Sequence, residues 1–301
     1  MQALCRLCGE LAELQDSHVL PAFVFRWLKE TSATGFIRFG QSPNGRIQDG
    51  LKKPWLCLSC EQKLNAWETK FANNLFHPMN DDGGHRVRYG DWLLKFCVSV
   101  SWRSLSAMTE MTGLKQFSKA QQNAAIHALD TWRGFLLDKV SHPGQFEQHL
   151  LPFDSIDRLT GSFPPNFCRY LLRAVEIDAA HGEKIAFIYS KLGRFVILGF
   201  IELPHPQQWV GSKIHVREGL IAPRKYILPI EFGDYLKDRA CRRTVVYGKI
   251  SDKQLGKIDE TLRKDMDRLA RSETFNAMTE DVRLFGDRAF ATSRPQHKPK
   301  N

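Results

Sequence analysis

Cys5-Arg6-Leu7-Cys8 is answered, after 48 intervening residues, by Cys57-Leu58-Ser59-Cys60. Each C-x-x-C presents two thiols to one ion from a single tight turn. Two such turns complete a four-sulfur tetrahedral shell, so Cys5, Cys8, Cys57 and Cys60 are read as ligands of a structural Zn2+. The segment between the pairs exceeds the roughly 15–20 residues common between paired zinc-binding turns, so it must hold structure of its own. Asp16-Ser17-His18 lies inside it.

Beyond the cysteines, Leu64, Trp67, Phe71 and Leu75 recur at helical spacing and predict a helix whose start holds the second cysteine pair. Phe23, Val24, Trp27 and Leu28 predict another helix after Pro21. Between them, residues 31–53 are rich in Gly, Ser and Asn and carry Arg38, Arg46, Lys52 and Lys53 against Asp49 alone; this reads as a basic loop or hairpin. Asn80-Asp81-Asp82-Gly83-Gly84 reads as a linker after His77-Pro78. Residues 91–139 follow a helical pattern in which Ser118 is placed as a cap. Residues 185–189 and 195–200 flank a turn at Gly193 and predict a β-hairpin, with further strands expected at 213–217 and 226–228. A last helix is expected from Ser251-Asp252, with Leu255, Ile258, Leu262 and Leu269 on one face.

The 301-residue chain carries a net charge of +10 and a pI near 9.3, which points to a polyanionic partner, since Lys and Arg that neutralise phosphates release condensed counterions. No uninterrupted apolar run approaches the about 18–20 residues that span a bilayer, and Met1-Gln2-Ala3-Leu4-Cys5 lacks the basic and apolar segments of a secretory leader. A cytoplasmic protein without a membrane partner, its thiols reduced, is the expectation. Cys97, Cys168 and Cys241 stand singly and read as small buried hydrophobes. The basic side chains of residues 213–249 interleave with Tyr226, Phe232, Tyr235 and Tyr247, following Trp209, a mixture suited to nucleic acid, although such aromatics more often fill a core. The absence of G-x-x-x-x-G-K-[ST], G-x-S-x-G and H-E-x-x-H leaves P-loop NTPase, α/β-hydrolase and zincin readings without motif support.

A zinc knuckle, a segment bearing His18, and a helix opening on the second C-x-x-C have the layout of a treble clef, and residues 5–67 resemble the HNH nuclease group. In that group an outer zinc site braces a small ββα motif. The resemblance implies His18 as the base that draws a proton from water, with Asp16 and Glu61 as carboxylates holding Mg2+ or Mn2+ at the scissile phosphate. Arg38, Arg46, Lys52 and Lys53 would then contact the nucleic-acid backbone. The pattern departs from the group at three places: Ser17 stands beside the His where an acid is usual, Lys52 lies nearest the place of the middle Asn, and Glu61 replaces the final His. A strand through Asp16-Ser17-His18 would put Asp16 and His18 on one face.

The expected class is therefore α+β: a zinc-bound treble clef at residues 1–80, then a mixed helical and antiparallel β domain, helical over 81–180 and β-rich over 181–290 with a C-terminal helix. A disordered basic tail follows at 291–301. The implied function is an HNH-like, metal-dependent endonuclease on DNA or RNA, of the kind used in phage defence or as a toxin restrained by a regulatory protein or nucleoprotein partner. The alternatives are a non-catalytic zinc module that binds nucleic acid or protein, and an effector whose activity lies in the C-terminal part.

Overall fold

The computed structural model describes residues 2–40, 42–81, 86–156, 158–222 and 225–290. It is a mixed α/β protein. The chain opens with β1 (Gln2–Leu4), β2 (Leu11–His18), α1 (Ala22–Glu30), β3 (Ile37–Phe39), β4 (Ser42–Ile47) and β5 (Lys52–Cys57). There follow α2 (Leu58–Phe71), one π-helical turn over Ala72–Phe76, α3 (His77–Asp81), β6 (Val87–Tyr89), α4 (Asp91–Thr112), α5 (Lys119–Leu136) and β7 (Gln148–Pro152). The rest comprises α6 (Phe167–Arg173), β8 (Val175–His181), β9 (Ala186–Leu192), β10 (Phe195–Glu202), β11 (Gly219–Ile221), α7 (Ile230–Gly248), α8 (Asp252–Lys264), α9 (Met266–Arg271) and α10 (Glu273–Phe285).

Two compact units are each assembled from separated segments: residues 1–24, 50–153 and 175–228 form the first, and 25–49, 154–174 and 229–301 the second. This division cuts across the consecutive blocks suggested by the sequence. Asn80, read as the start of a linker, is buried in α3, where its amide donates to the Phe76 carbonyl and its oxygen accepts from Arg194. Asp82, Gly83, Gly84 and the tail from residue 291 lie outside the described residues.

The first unit is organised around α4, which is buried over residues 93–108 without a break. Such a helix must be covered on every side. It packs on an antiparallel sheet of order β7-β10-β9-β8, with α2 and α5 also against it. Ser99, Ser101, Ser104 and Ser106 are fully buried and small enough to let the sheet approach. A Cβ placed on Gly199 would lie 2.6 Å from Ser101 Oγ, so β10 needs glycine there. Phe71 stacks on Phe96 at 4.0 Å, and Phe23, Phe76 and Phe195 extend the aromatic cluster. The expected β9–β10 hairpin forms, turning at Gly193 with φ +60°. Ser118 and Gln121 form a reciprocal capping box at the start of α5.

Two expectations for the later chain are corrected. Residues 213–217 and 226–228 are not strands: only isolated bridges form there, His149 of β7 to Lys213, flanked by Leu150 N–H to the Ser212 carbonyl and Ile214 N–H to the Gln148 carbonyl, and Val210 to Ile227. The β-rich character expected ahead of the C-terminal helix ends early: Ile230–Gly248 is helical (α7), and the helix expected from Ser251-Asp252 is followed by α9 and α10.

The second unit joins the β3–β4 hairpin to α6 through α10. Fully buried Asp281 of α10 accepts from the Cys168 and Arg169 amides at the start of α6 and from Arg169 Nε at 2.6 Å. Ser251 caps α8 as expected, yet α8 buries no residue fully and Leu255 stays exposed.

Candidate metal centre

β1 and β2 pair through a tight turn that contains Cys5 and Cys8, and Gly9 closes it with φ +85°. The Gly9 amide donates to the Cys5 carbonyl and the Cys5 amide to Glu10, which sets both thiols on one side of the turn. β5 pairs antiparallel with β2 and delivers Cys57 at its end; Cys60 follows in the first turn of α2. All four sulfurs lie within 4.8 Å of one another, and no disulfide joins them. A tetrahedral shell of Zn–S bonds of about 2.3 Å separates its sulfurs by about 3.8 Å. Cys8 Sγ and Cys57 Sγ are 3.8 Å apart.

The four cysteines are thus positioned to bind a metal ion, and the sulfur-only donor set is compatible with structural zinc. Cys5, Cys57 and Cys60 are buried. Burial raises the Cys57 thiol, but hydrogen bonds from Ser59, whose Oγ lies 3.2 Å away, and from the Cys60 backbone and thiol bring it down to about 6. Burial pushes Cys60 and Cys8 up. Four adjacent thiolates repel one another, so a divalent cation is the partner that lets all of them ionise.

Helices α4 and α5 grip the knuckle. Arg133 Nε donates to the Leu7 carbonyl at 2.5 Å. Arg6 lies over the Trp55 ring and is paired with Glu110, which also takes Lys53 Nζ at 3.1 Å.

The remaining predicted residues divide. Asp16 is exposed, Ser17 fully buried and His18 half-buried, because an irregularity in the β2–β5 register falls between Gln15 and Asp16. Ser17 Oγ, not the Asp16 carboxylate, reaches α2 and donates to Glu61 Oε2 at 2.7 Å. The His18 carbonyl accepts from Arg103, a buried guanidinium also paired with Glu68 at 2.6 Å. Among the described residues, the cysteine quartet is the one set of three or more His, Cys, Asp or Glu placed to hold an ion; Asp16, His18 and Glu61 are not brought together as a second. Lys52 is exposed and opposite His18 in the register, while Lys53 is neutralised by Glu110. Arg38 and Arg46 belong to the other unit. There Arg38 donates to the Pro43 carbonyl and Arg46 lies 3.7 Å over Phe36.

Sequence reasoning missed one chain of chemically capable residues. His149 Nε2 donates to Glu147 Oε2 at 3.3 Å, which leaves Nδ1 to accept from Ser212 at 2.8 Å, and Lys213 pairs with Glu147. The only local signal was Glu147 and His149 two apart, hence on one face of an extended segment. This is the order of groups that activates a serine nucleophile. Here, however, Ser212 and His149 are each 1% exposed, and Phe200 and Trp209 pack on the imidazole, so the chain ties β7 to the 209–213 turn.

Comparison of the chain with protein-family models, with curated proteins and with solved structures gives no match. No helix among the described residues is long and apolar enough to cross a membrane.

Proposed function

We propose that the protein is a zinc-braced nucleic-acid-binding protein in which Cys5, Cys8, Cys57 and Cys60 hold one Zn2+ in a treble clef made of the β1–β2 knuckle, β5 and α2. The observation that carries this reading is the sulfur quartet itself. Four protein ligands fill a tetrahedral shell and keep no place for water or phosphate, which is the arrangement of a structural ion. The zinc then fixes the Leu14–Cys57 end of the β2–β5 pair, and His18 and exposed Lys52 stand opposite one another at its other end. Net charge of +10 supplies the attraction to phosphate.

The test is fluorescence anisotropy with labelled DNA and RNA over a salt series, beside zinc analysis. Affinity should fall steeply with salt, as counterion release requires, and neither plasmid nor RNA should be cut with Mg2+ or Mn2+.

A second reading, an HNH-like endonuclease, is favoured by the path β2, β5, α2, which sets His18 at the end of one strand and Glu61 in the first turn of the helix. His18 would be the base, and Glu61 would need to leave Ser17 to take a metal ion. Nicking by the wild type that disappears in His18→Ala with zinc retained would replace the first reading with this one.

A further inference from the structure

The second unit contains a cavity of about 420 Å³ walled by the 158–163 segment, the end of α10 and the turn after it. Its size falls within the range of about 300–1,000 Å³ typical of small-ligand sites. Three arginines line it, Arg158, Arg283 and Arg288, and among the described residues no carboxylate does. Arg283 is fixed: its guanidinium donates to Glu280 Oε2 and to the Ile156 carbonyl. Arg158 and Arg288 have no ion pair with a carboxylate among the described residues, and Arg288 lies 5.9 Å from the Phe285 ring. Phe163, Leu159 and Leu284 give the remaining wall an apolar character.

Three like charges around one concavity repel, and such a cluster is stabilised by an anion that takes them together. Planar guanidinium forks match the oxygens of a phosphate in bidentate fashion. Glu280 offsets Arg283, which leaves Arg158 and Arg288 as two cations of the described lining, a charge suited to the roughly −1.5 to −2 of a phosphate monoester at neutral pH. An internal phosphodiester carries only one negative charge and leaves the cluster unbalanced.

We propose that this cavity binds a terminal phosphate monoester joined to an apolar or aromatic body, as in a nucleoside monophosphate or the 5′-phosphorylated end of a nucleic-acid strand. The phosphate sits among Arg158, Arg283 and Arg288, and the attached ring lies along Phe163, Leu284 and Phe285. The site is contained in the second unit and is independent of the metal centre.

The experiment is calorimetric titration of the full chain with inorganic phosphate, adenosine 5′-monophosphate, and a short single strand bearing either a 5′-phosphate or a 5′-hydroxyl. Adenosine monophosphate and the phosphorylated strand should bind saturably, each more tightly than inorganic phosphate, and the hydroxyl strand more weakly than its phosphorylated twin. Whichever of the two favoured probes binds tighter identifies the source of the phosphate. Arg158→Ala and Arg288→Ala, exposed positions whose loss should leave the melting temperature unchanged, should each weaken binding about tenfold. The proposal is overturned if none of the phosphate monoesters binds, if the two strands bind equally, or if both variants bind as the wild type does.

Discussion

Ser17 Oγ donates to Glu61 Oε2 across 2.7 Å, so the residue of the Asp16-Ser17-His18 run that meets α2 is the middle one. This bond fastens the end of β2 to the helix that carries Cys60. Glu61→Ala removes the acceptor and leaves the Ser17 hydroxyl, fully buried, with the Gln15 carbonyl at 3.3 Å as its alternative. A loss of about 1 kcal/mol is expected in urea unfolding. Zinc content should stay at one ion per chain, because Glu61 is not among the four converging sulfurs. A variant that loses zinc and stability together would assign Glu61 to the metal site instead.

Arg133 reaches from α5 to the Leu7 carbonyl, and a Cβ on Gly9 would meet its Nη2 at 3.0 Å. The turn that holds Cys5 and Cys8 is thereby held by a residue more than a hundred positions away in sequence. Arg133→Ala should cost about 1–2 kcal/mol, the range for a partly exposed hydrogen bond from a charged donor. It should also speed zinc transfer to a chelating dye, since the turn holding Cys5 and Cys8 opens more readily. Unchanged transfer kinetics would show that the cysteines alone set the rate.

The cysteine quartet was legible because its chemistry is local: each pair sits within one turn, and the periodic Leu64 and Phe71 announce the helix that follows. Strand β2 was legible in outline but not in detail. The irregularity between Gln15 and Asp16 moves Ser17, rather than Asp16, against Glu61, and no alternation rule reveals such an irregularity. The segments at 213–217 and 226–228 have strand-forming composition, yet against β7 and Val210 each makes a single bridge rather than a ladder, an outcome set by tertiary context and not by composition. Likewise the clusters at Glu147, His149 and Ser212, and at Arg158, Arg283 and Arg288, join residues far apart in the chain and exist only once the units have closed.

The Glu147–His149–Ser212 chain predicts a two-step loss of stability in acid. Burial lowers His149, so the folded protein holds the imidazole neutral while the unfolded chain protonates it; stability falls as pH drops below about 6.5. Hydrogen bonding from His149, and then Lys213, holds Glu147 at about 2 against an ordinary 4.5, so its contribution is present above 4.5 and is lost as pH falls toward 2. Lys213 and His215 are the other charges acting on the imidazole. In thermal melts from pH 8 to pH 3, Glu147→Gln should remove the lower step and deepen the upper one, because the carboxylate that favours imidazolium is gone. His149→Gln should remove the upper step. Melting curves of the two variants that parallel the wild type would exclude this chain as the origin.

Lys191 gives a matching prediction in base. Its ammonium lies wholly within the first unit, donates to the Gly193 carbonyl at 2.5 Å, and sits 5.4 Å from the Phe153 ring. Burial brings it down to about 7 from an ordinary 10.5; Glu176 opposes that shift and Arg194 adds to it. Between those two values the unfolded chain binds more protons than the folded one, so stability rises as pH increases from about 7 to about 10.5 and is lowest below 7. Lys191→Met retains the bulk and removes the charge. It should therefore stabilise the protein at pH 6 by at least about 1 kcal/mol and flatten the difference between pH 7 and pH 10, both read from urea midpoints. If the variant is destabilised equally at pH 6 and pH 10, the bond to Gly193 outweighs the cost of burying the charge, and Lys191 acts as a fixed strut of the β9–β10 turn.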